Sequence, residues 1–195
     1  MARLTRAESQ AHTRAQLIAT AKAMFFRDGF AATSLDKVAE SAGYSKGAVY
    51  SNFRNKDELC RAVLAEIRAE RVGEVAAILG AAGDMQATFD QLQAWANRVI
   101  GDPEWTTLEL EYAIQARRNR ELHADLAAQQ TSILDLISGA TAAMDLQPRL
   151  QIRELATVGL ALGIGLGLLR SIDPSLSVDG LVDTIRILAG APDEQ

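Results

Sequence analysis

The chain has 195 residues, 48% of them apolar and 23% charged, with 14 glycines and four prolines scattered along it. Such a composition can fill a sizeable core in one large or two small domains, and it excludes a disordered or fibrous chain. The net charge of −5 is unevenly held: residues 1–60 carry nine Lys and Arg against six Asp and Glu, and the remainder carries eleven against nineteen. That asymmetry suits a basic end that approaches phosphate and an acidic body kept away from it.

Residues 1–13 are polar and aperiodic and read as a mobile tail, in which Arg3 and Arg6 are available to a DNA backbone or minor groove. No apolar signal core is present there, so the expected location is the cytoplasm. From about Arg14 to Asp28 the spacing of Leu17, Ile18, Ala21, Met24 and Phe25 predicts a helix, which Gly29 closes.

The stretch from Thr33 to Lys56 reads as a short helix, a turn, a second short helix and the start of a third. Leu35, Val38, Ala39 and Ala42 share one face of the first, and Thr33 or Ser34 can cap its start. Gly43 marks the turn. Ser45 is placed to cap the second helix, from about Lys46 to Phe53. Periodicity alone leaves two readings, a helix-turn-helix and an ordinary helical corner. The outer face favours the first. With Ala48, Val49 and Phe53 inward, the second helix exposes Ser45, Lys46, Gly47, Tyr50 and Asn52, with no carboxylate for DNA to repel. Phe25, Phe30, Leu35, Val38 and Val49 are the expected core of a three-helix head.

The order Gly43-Tyr44-Ser45-Lys46-Gly47-Ala48-Val49-Tyr50-Ser51-Asn52-Phe53, followed by Asn55-Lys56-Asp57-Glu58-Leu59, resembles the DNA-binding segment of TetR-family transcriptional regulators. The resemblance extends upstream through Thr33, Gly29, Phe25 and Ala21 to about residue 14, the first third of the chain. It implies that Lys46, Gly47 and Tyr50 lie on a recognition helix, with Ser45 and Lys46 nearest its base-reading end and Gly47 allowing close approach. Thr33, Ser34, Tyr50, Asn52 and Lys56 are then suited to phosphate oxygens. Asn52 stands where many family members carry His. The resemblance further implies a homodimer on double-stranded DNA with a palindromic operator, most often a repressor, released by a small-molecule effector of unknown identity.

Beyond the head, Asn55 and Glu58 form a sequence resembling a capping box for a helix that reaches about Leu79, with Leu59, Ala62, Val63 and Ile67 inward and Gly80 and Gly83 after it. In the resemblance this helix joins head to body. A further helix holds Phe89, Leu92, Trp95, Ala96 and Val99 and stops at Gly101-Asp102-Pro103. Another begins near Glu104, places Trp105, Leu108 and Tyr112 on one stripe, and ends around Arg117-Arg118-Asn119. The next, from about Arg120, puts Leu122, Leu126, Ile133, Ile137 and Ala140 on one face before the break at Pro148. The apolar run 155–169 is fifteen residues, short of the roughly 18–20 that span a bilayer, and reads as a buried helix with no membrane role. Gly159, Gly163 and Gly167 give it one smooth face. A last helix near Val178–Ala189 carries Leu181, Val182, Ile185 and Leu188. The resemblance implies that the last two helices of two chains form a four-helix dimer interface through Gly159, Gly163, Gly167, Leu181, Ile185 and Leu188. The alternative is that they complete the core of one chain.

The expected fold is therefore all-α, of about nine helices, with an N-terminal DNA-binding domain over residues 1–54 and a ligand-binding and dimerisation domain over 55–195. Nothing supports catalysis. The sequence GIGLG at 163–167 lacks the strand and lysine of a phosphate loop, and His12 and His123 are too far apart in sequence for a metal motif, so no cofactor or metal is expected. The lone Cys60 reads as a packing residue or, alternatively, a redox thiol. Phe89, Trp95, Trp105, Leu108 and Tyr112, with Glu111 and Gln115 as polar ends, are candidates for a small-molecule pocket or for plain core. Two other functions stay open: a DNA-binding protein without a small ligand, architectural or controlled by a protein partner, and a small helical enzyme.

Overall fold

The computed structural model describes residues 5–81, 84–117, 119–142, 144 and 146–191. Expectations placed on Arg3, Gly83 and Arg118 lie outside these residues. Among the described residues there are nine α-helices and no strand: α1 Arg6–Ala32, α2 Leu35–Ser41, α3 Lys46–Asn52, α4 Lys56–Gly80, α5 Met85–Val99, α6 Pro103–Ala116, α7 Arg120–Ala142, α8 Ile152–Ile172 and α9 Asp179–Ala189. They divide into two compact units. The first is the chain up to Arg68 together with Thr107–Gln115 of α6, and the second is Ala69–Thr106 with the chain from Ala116 on. The first unit thus extends past residue 54 and recruits the middle of α6.

In the first unit α1 begins well before Arg14, which corrects the expectation of a tail for residues 6–13. The Thr5 hydroxyl accepts the Glu8 N–H at 3.2 Å, and the Glu8 carboxylate accepts the Thr5 N–H at 2.7 Å, a reciprocal cap. The first turns of α1 are exposed nearly all round. They therefore carry no apolar stripe to read, and they are held by the cap and by continuity with the buried stretch from Leu17 onward. At Gly29 the helix breaks, with φ 81° and ψ 165°, a conformation that only glycine adopts without strain. Leu17, Ala21, Phe25, Phe30, Leu35, Val38, Val49, Phe53, Leu59, Val63 and Ile67 are all buried, including the five residues expected as the core of the head.

Ser34 caps α2 by accepting the Lys37 N–H, and Ser45 caps α3 by accepting the Ala48 N–H. At the start of α4 Asn55 Oδ1 accepts the Glu58 N–H at 2.8 Å. The Glu58 carboxylate takes the Arg54 N–H at 2.9 Å, so the return bond of the expected box falls one residue earlier.

The second unit is built on Phe89, Ala96, Ile100, Leu155, Val178, Leu181, Val182 and Ala189, with Trp95, Leu166, Ile185 and Leu188 packed against them. Its α8 departs from expectation in length and in burial. At 21 residues it is long and apolar enough to cross a membrane by length and composition, and only 17% of its apolar window is buried. A Cβ on Gly159 would meet Ile185, one on Gly163 would meet Ile100, and one on Gly167 would lie 3.7 Å from the Gly101 backbone nitrogen. The smooth stripe therefore faces the chain's own α9 and the end of α5. Leu181, Ile185 and Leu188 likewise belong to this core. These six residues, expected at a dimer interface, meet neighbours in their own chain, because small side chains sit where neighbouring backbone comes closest. The large ones on the other side, Leu162, Ile164, Leu168, Leu169 and Ile172, are left exposed.

The break at Gly29 gives a direct test of the first unit. Gly29→Ala is expected to lower its stability by about 1–3 kcal/mol through backbone strain alone, since a Cβ there would meet nothing closer than Glu111 Oε1 at 3.8 Å. Equilibrium denaturation measures this, and a variant as stable as the parent would show that the positive φ is not enforced.

Candidate nucleic-acid interface

Helices α2 and α3 pack on each other and on α1, and their buried residues Val38, Ala39 and Val49 fix which faces turn outward. From α3 the exposed positions are Lys46, Gly47, Tyr50 and Ser51, with the cap Ser45 beside them. Tyr50 is 52% exposed although it is a large aromatic, and no carboxylate belongs to α3. A Cβ on Gly47 would meet only the Ser45 hydroxyl, at 3.9 Å, so the surface is open there. Lys46 Nζ reaches back to Asp36 Oδ2 on α2 at 2.6 Å. That hydrogen bond, with the Asp36 charge, raises the Lys46 ammonium above the ordinary lysine range and keeps it charged.

Three of the eight residues expected at DNA make contacts within the chain. Thr33 is buried, and its hydroxyl donates to the Gly29 carbonyl at 2.9 Å, closing the break in α1 instead of facing solvent. Lys56 donates to the Phe30 carbonyl at 2.8 Å and lies 4.2 Å above the Phe30 ring, because the carbonyls at the break lack helical donors. Asn52 is half-buried and turns its amide to the Ala48 carbonyl at 2.8 Å. Ser34, Ser45, Lys46, Gly47 and Tyr50 remain on the outer surface.

One contributor escaped the sequence reading. Arg14 of α1 donates to the Asn52 carbonyl at 2.9 Å, and its guanidinium lies 4.2 Å from the centre of the Phe53 ring. It satisfies a carbonyl at the end of α3 and clamps that helix to α1. The signal available was a lone arginine just before the first apolar residue of α1, which reads as surface charge until the fold brings residue 52 beside it.

Of the seven candidate pocket residues, Leu108, Glu111, Tyr112 and Gln115 belong to the first compact unit, and Phe89, Trp95 and Trp105 belong to the second. Phe89 is core, and Trp95 donates its indole N–H to Glu74 at 2.7 Å. Trp105 is partly buried and donates its backbone N–H to Asp102 Oδ1 at 3.1 Å. Glu111 accepts the Phe30 N–H at 2.9 Å, and Gln115 is exposed. Leu108 and Tyr112 are buried; the Tyr112 hydroxyl has no hydrogen-bond partner, and burial, then the neighbouring Cys60, push it up to about 12. Burial likewise pushes the Cys60 thiol far above its ordinary value, with Glu109 adding to the effect. This favours the reading of Cys60 as a packing residue. Among the described residues no group of His, Cys, Asp and Glu could hold a metal.

Residues 17–63 match the model of the bacterial regulatory proteins, tetR family. Over 64 residues, 33% of this chain and 30% of the other, the sequence is 47% identical to the HTH-type transcriptional regulator TtgR of Pseudomonas putida. Over 116 residues, 58% of this chain and 59% of the other, it is 33% identical to the HTH-type nicotine-responsive transcriptional repressor HdnoR of Paenarthrobacter nicotinovorans. The chain thus spans less than two thirds of the length of these relatives. Across 93% of the chain and 100% of the other, the fold matches the reduced form of NemR of E. coli with a TM-score of 0.74 at 18% identity.

Two measurements follow from this geometry. Arg14→Ala is expected to cost roughly 1–3 kcal/mol and to speed amide exchange across Lys46–Phe53, with Arg14→Lys intermediate; unchanged exchange would mean that the clamp carries no weight. Cys60 is expected to resist thiol reagents in the folded protein and to react at once in denaturant. Labelling of the native protein at the rate of a free thiol would contradict its burial.

Proposed function

We propose that the chain is a transcriptional repressor of the tetR family of bacterial regulatory proteins, whose model its residues 17–63 match. In this reading it binds a palindromic operator in double-stranded DNA as a homodimer and leaves it when a small molecule binds. The observation that carries this is the outer surface of α3: a helix capped by Ser45, presenting Lys46, Gly47 and Tyr50, with no carboxylate of its own. Such a helix fits the major groove, where Lys46 meets base-edge or phosphate acceptors and the small Gly47 lets the backbone approach. Ser34 and Tyr50 are suited to phosphate oxygens, which fix orientation without reading sequence. Residues 1–54 are the DNA-binding part and 55–195 the part that dimerises and senses, and the site of action is the cytoplasm.

Dimerisation is supported by the apolar side of α8. Leu162, Ile164, Leu168, Leu169 and Ile172 on α8, with Ile187 on α9, form a run of exposed apolar side chains that a second copy would cover. A second copy accounts for this surface better than a bilayer does, since α8 also carries Arg153, Glu154 and Arg170 near its ends. For the effector, support comes from HdnoR, whose name records a response to nicotine. The residues that would hold an effector here, among them Phe89, Trp95, Trp105, Leu108 and Tyr112, are mostly engaged in packing, so its chemistry is left open.

The experiment is capture and sequencing of genomic fragments with purified protein, checked by gel shift across salt concentrations. One or a few palindromic sites that survive competitor DNA are expected. Lys46→Ala and Tyr50→Ala are expected to weaken operator binding at least about tenfold, at about 1–3 kcal/mol per lost contact, with the dimer intact by sedimentation. Sequence-blind binding abolished by modest salt would leave only electrostatic attraction and overturn the reading.

A further inference from the structure

Resting on the DNA-binding reading above, we propose that Asp36 is a specificity-determining residue: it masks Lys46, the one basic residue of α3, and so holds down sequence-blind attraction to DNA. The two side chains come from different helices and meet at 2.6 Å on the solvent side of the α2–α3 pair. Lys46 is 70% exposed and Asp36 45%, so the contact is no part of the core. Packing through Val38, Ala39 and Val49 sets the two backbones and brings the charges together in the free protein. Asp36 Oδ1 is shielded from water and has no hydrogen-bond partner, which leaves Lys46 as the group that compensates this carboxylate. The other charged or polar groups that act on Lys46 are Glu40 and Tyr50, each more weakly than Asp36.

An exposed ion pair contributes little to folding stability. On a DNA-binding surface it has a different consequence. Away from an operator, a lysine acts almost wholly through its charge, by neutralising a phosphate and releasing a counterion. With Asp36 attached, Lys46 offers nearly no net charge for this, and the carboxylate itself repels the backbone. At an operator the same ammonium has base-edge acceptors within reach, and their hydrogen bonds are not cancelled by a neighbouring charge. Asp36 therefore weakens non-specific binding more than operator binding, and the ratio between them rises.

The test compares wild type, Asp36→Asn, Lys46→Ala and the double variant by fluorescence anisotropy on the captured operator and on a scrambled duplex, from about 50 to 200 mM salt. Asp36→Asn is expected to tighten scrambled-duplex binding about three- to tenfold at the lowest salt and to steepen its log–log salt slope by about one. Operator affinity should rise less, so that discrimination falls. In the Lys46→Ala background the gain should shrink below about twofold. Weaker binding to both duplexes would mark Asp36 as merely structural, equal tightening on both would make it a plain charge, and a full gain without Lys46 would mean that it acts elsewhere. Each of these overturns the proposal. A wild type without any preferred site overturns the functional reading itself, whereas a wild type with a site and an unchanged ratio in Asp36→Asn overturns only the role of Asp36.

Discussion

The first compact unit depends on how the break at Gly29 is repaired. A helix interrupted at positive φ leaves backbone groups without helical partners, and a shielded group of that kind costs about 1–3 kcal/mol if unpaired. Here four of them are taken by side chains of the same unit. Glu111 of α6 accepts the Phe30 N–H, Lys56 of α4 donates to the Phe30 and Ala31 carbonyls, and the Thr33 hydroxyl donates to the Gly29 carbonyl. The break sets the direction in which the chain enters α2, and α2 carries α3 with it through Val38, Ala39 and Val49. Within this unit, neither the start of α4 nor the middle of α6 can shift against α2 without unpairing one of these groups. The clustering of Thr107–Gln115 with the N-terminal helices has a chemical basis in Glu111 and in the pair of Arg68 with Glu109.

A second constraint shapes α8. Its glycines recur every four residues, and the resulting groove admits Ile185, Ile100 and the backbone of Gly101. Arg170 completes that contact by donating to the Ile100 carbonyl at 2.7 Å. Glycine is unfavourable inside a helix by about 1 kcal/mol relative to alanine, so the close approach must offset several such costs. Because the small residues occupy the inner face, the leucines and isoleucines are displaced to the outer one. The exposed apolar surface and the tight inner packing therefore have one origin in the sequence.

This division explains what could be read in advance. Helix positions followed from apolar periodicity and from glycine and proline breaks, so all nine helices were legible, and so was the core of the head from Phe25 to Val49. The start of α1 was not, because residues 6–13 bear no buried face and are held by a cap between Thr5 and Glu8. The exposure of one side of α8 was missed for a related reason: a helix apolar all round has no period that says which side is covered. Among the candidate site residues, Ser45, Lys46, Gly47 and Tyr50 emerge on the surface because α3 is short and its inward residues are unambiguous. The contacts that Thr33, Lys56 and Glu111 make within the chain were not legible, because their partners are backbone groups freed at Gly29, and a break of that kind is not encoded by spacing. Arg14 was missed because its partner lies 38 residues away.

The repair of the break also bears on affinity. Arg14, Lys37 and Lys56 donate to main-chain carbonyls, Arg27 pairs with Asp28, Arg54 with Glu58 and Lys46 with Asp36. Most of the positive charge that distinguishes this end of the chain is thus partnered within the unit before any DNA arrives. What remains at the surface of α3 is a small set of groups, and each good base contact supplies only about 1–3 kcal/mol. Specific operators are typically held at about 10⁻⁸ M or tighter, which requires about 11 kcal/mol or more. A single head with so few free contacts falls short of this. Two heads on one rigid partner reach it by adding their contacts for a single loss of rotational and translational freedom. In the proposed reading, a chain that commits its cations in this way needs a second copy, paired through the outer face of α8, for tight operator binding.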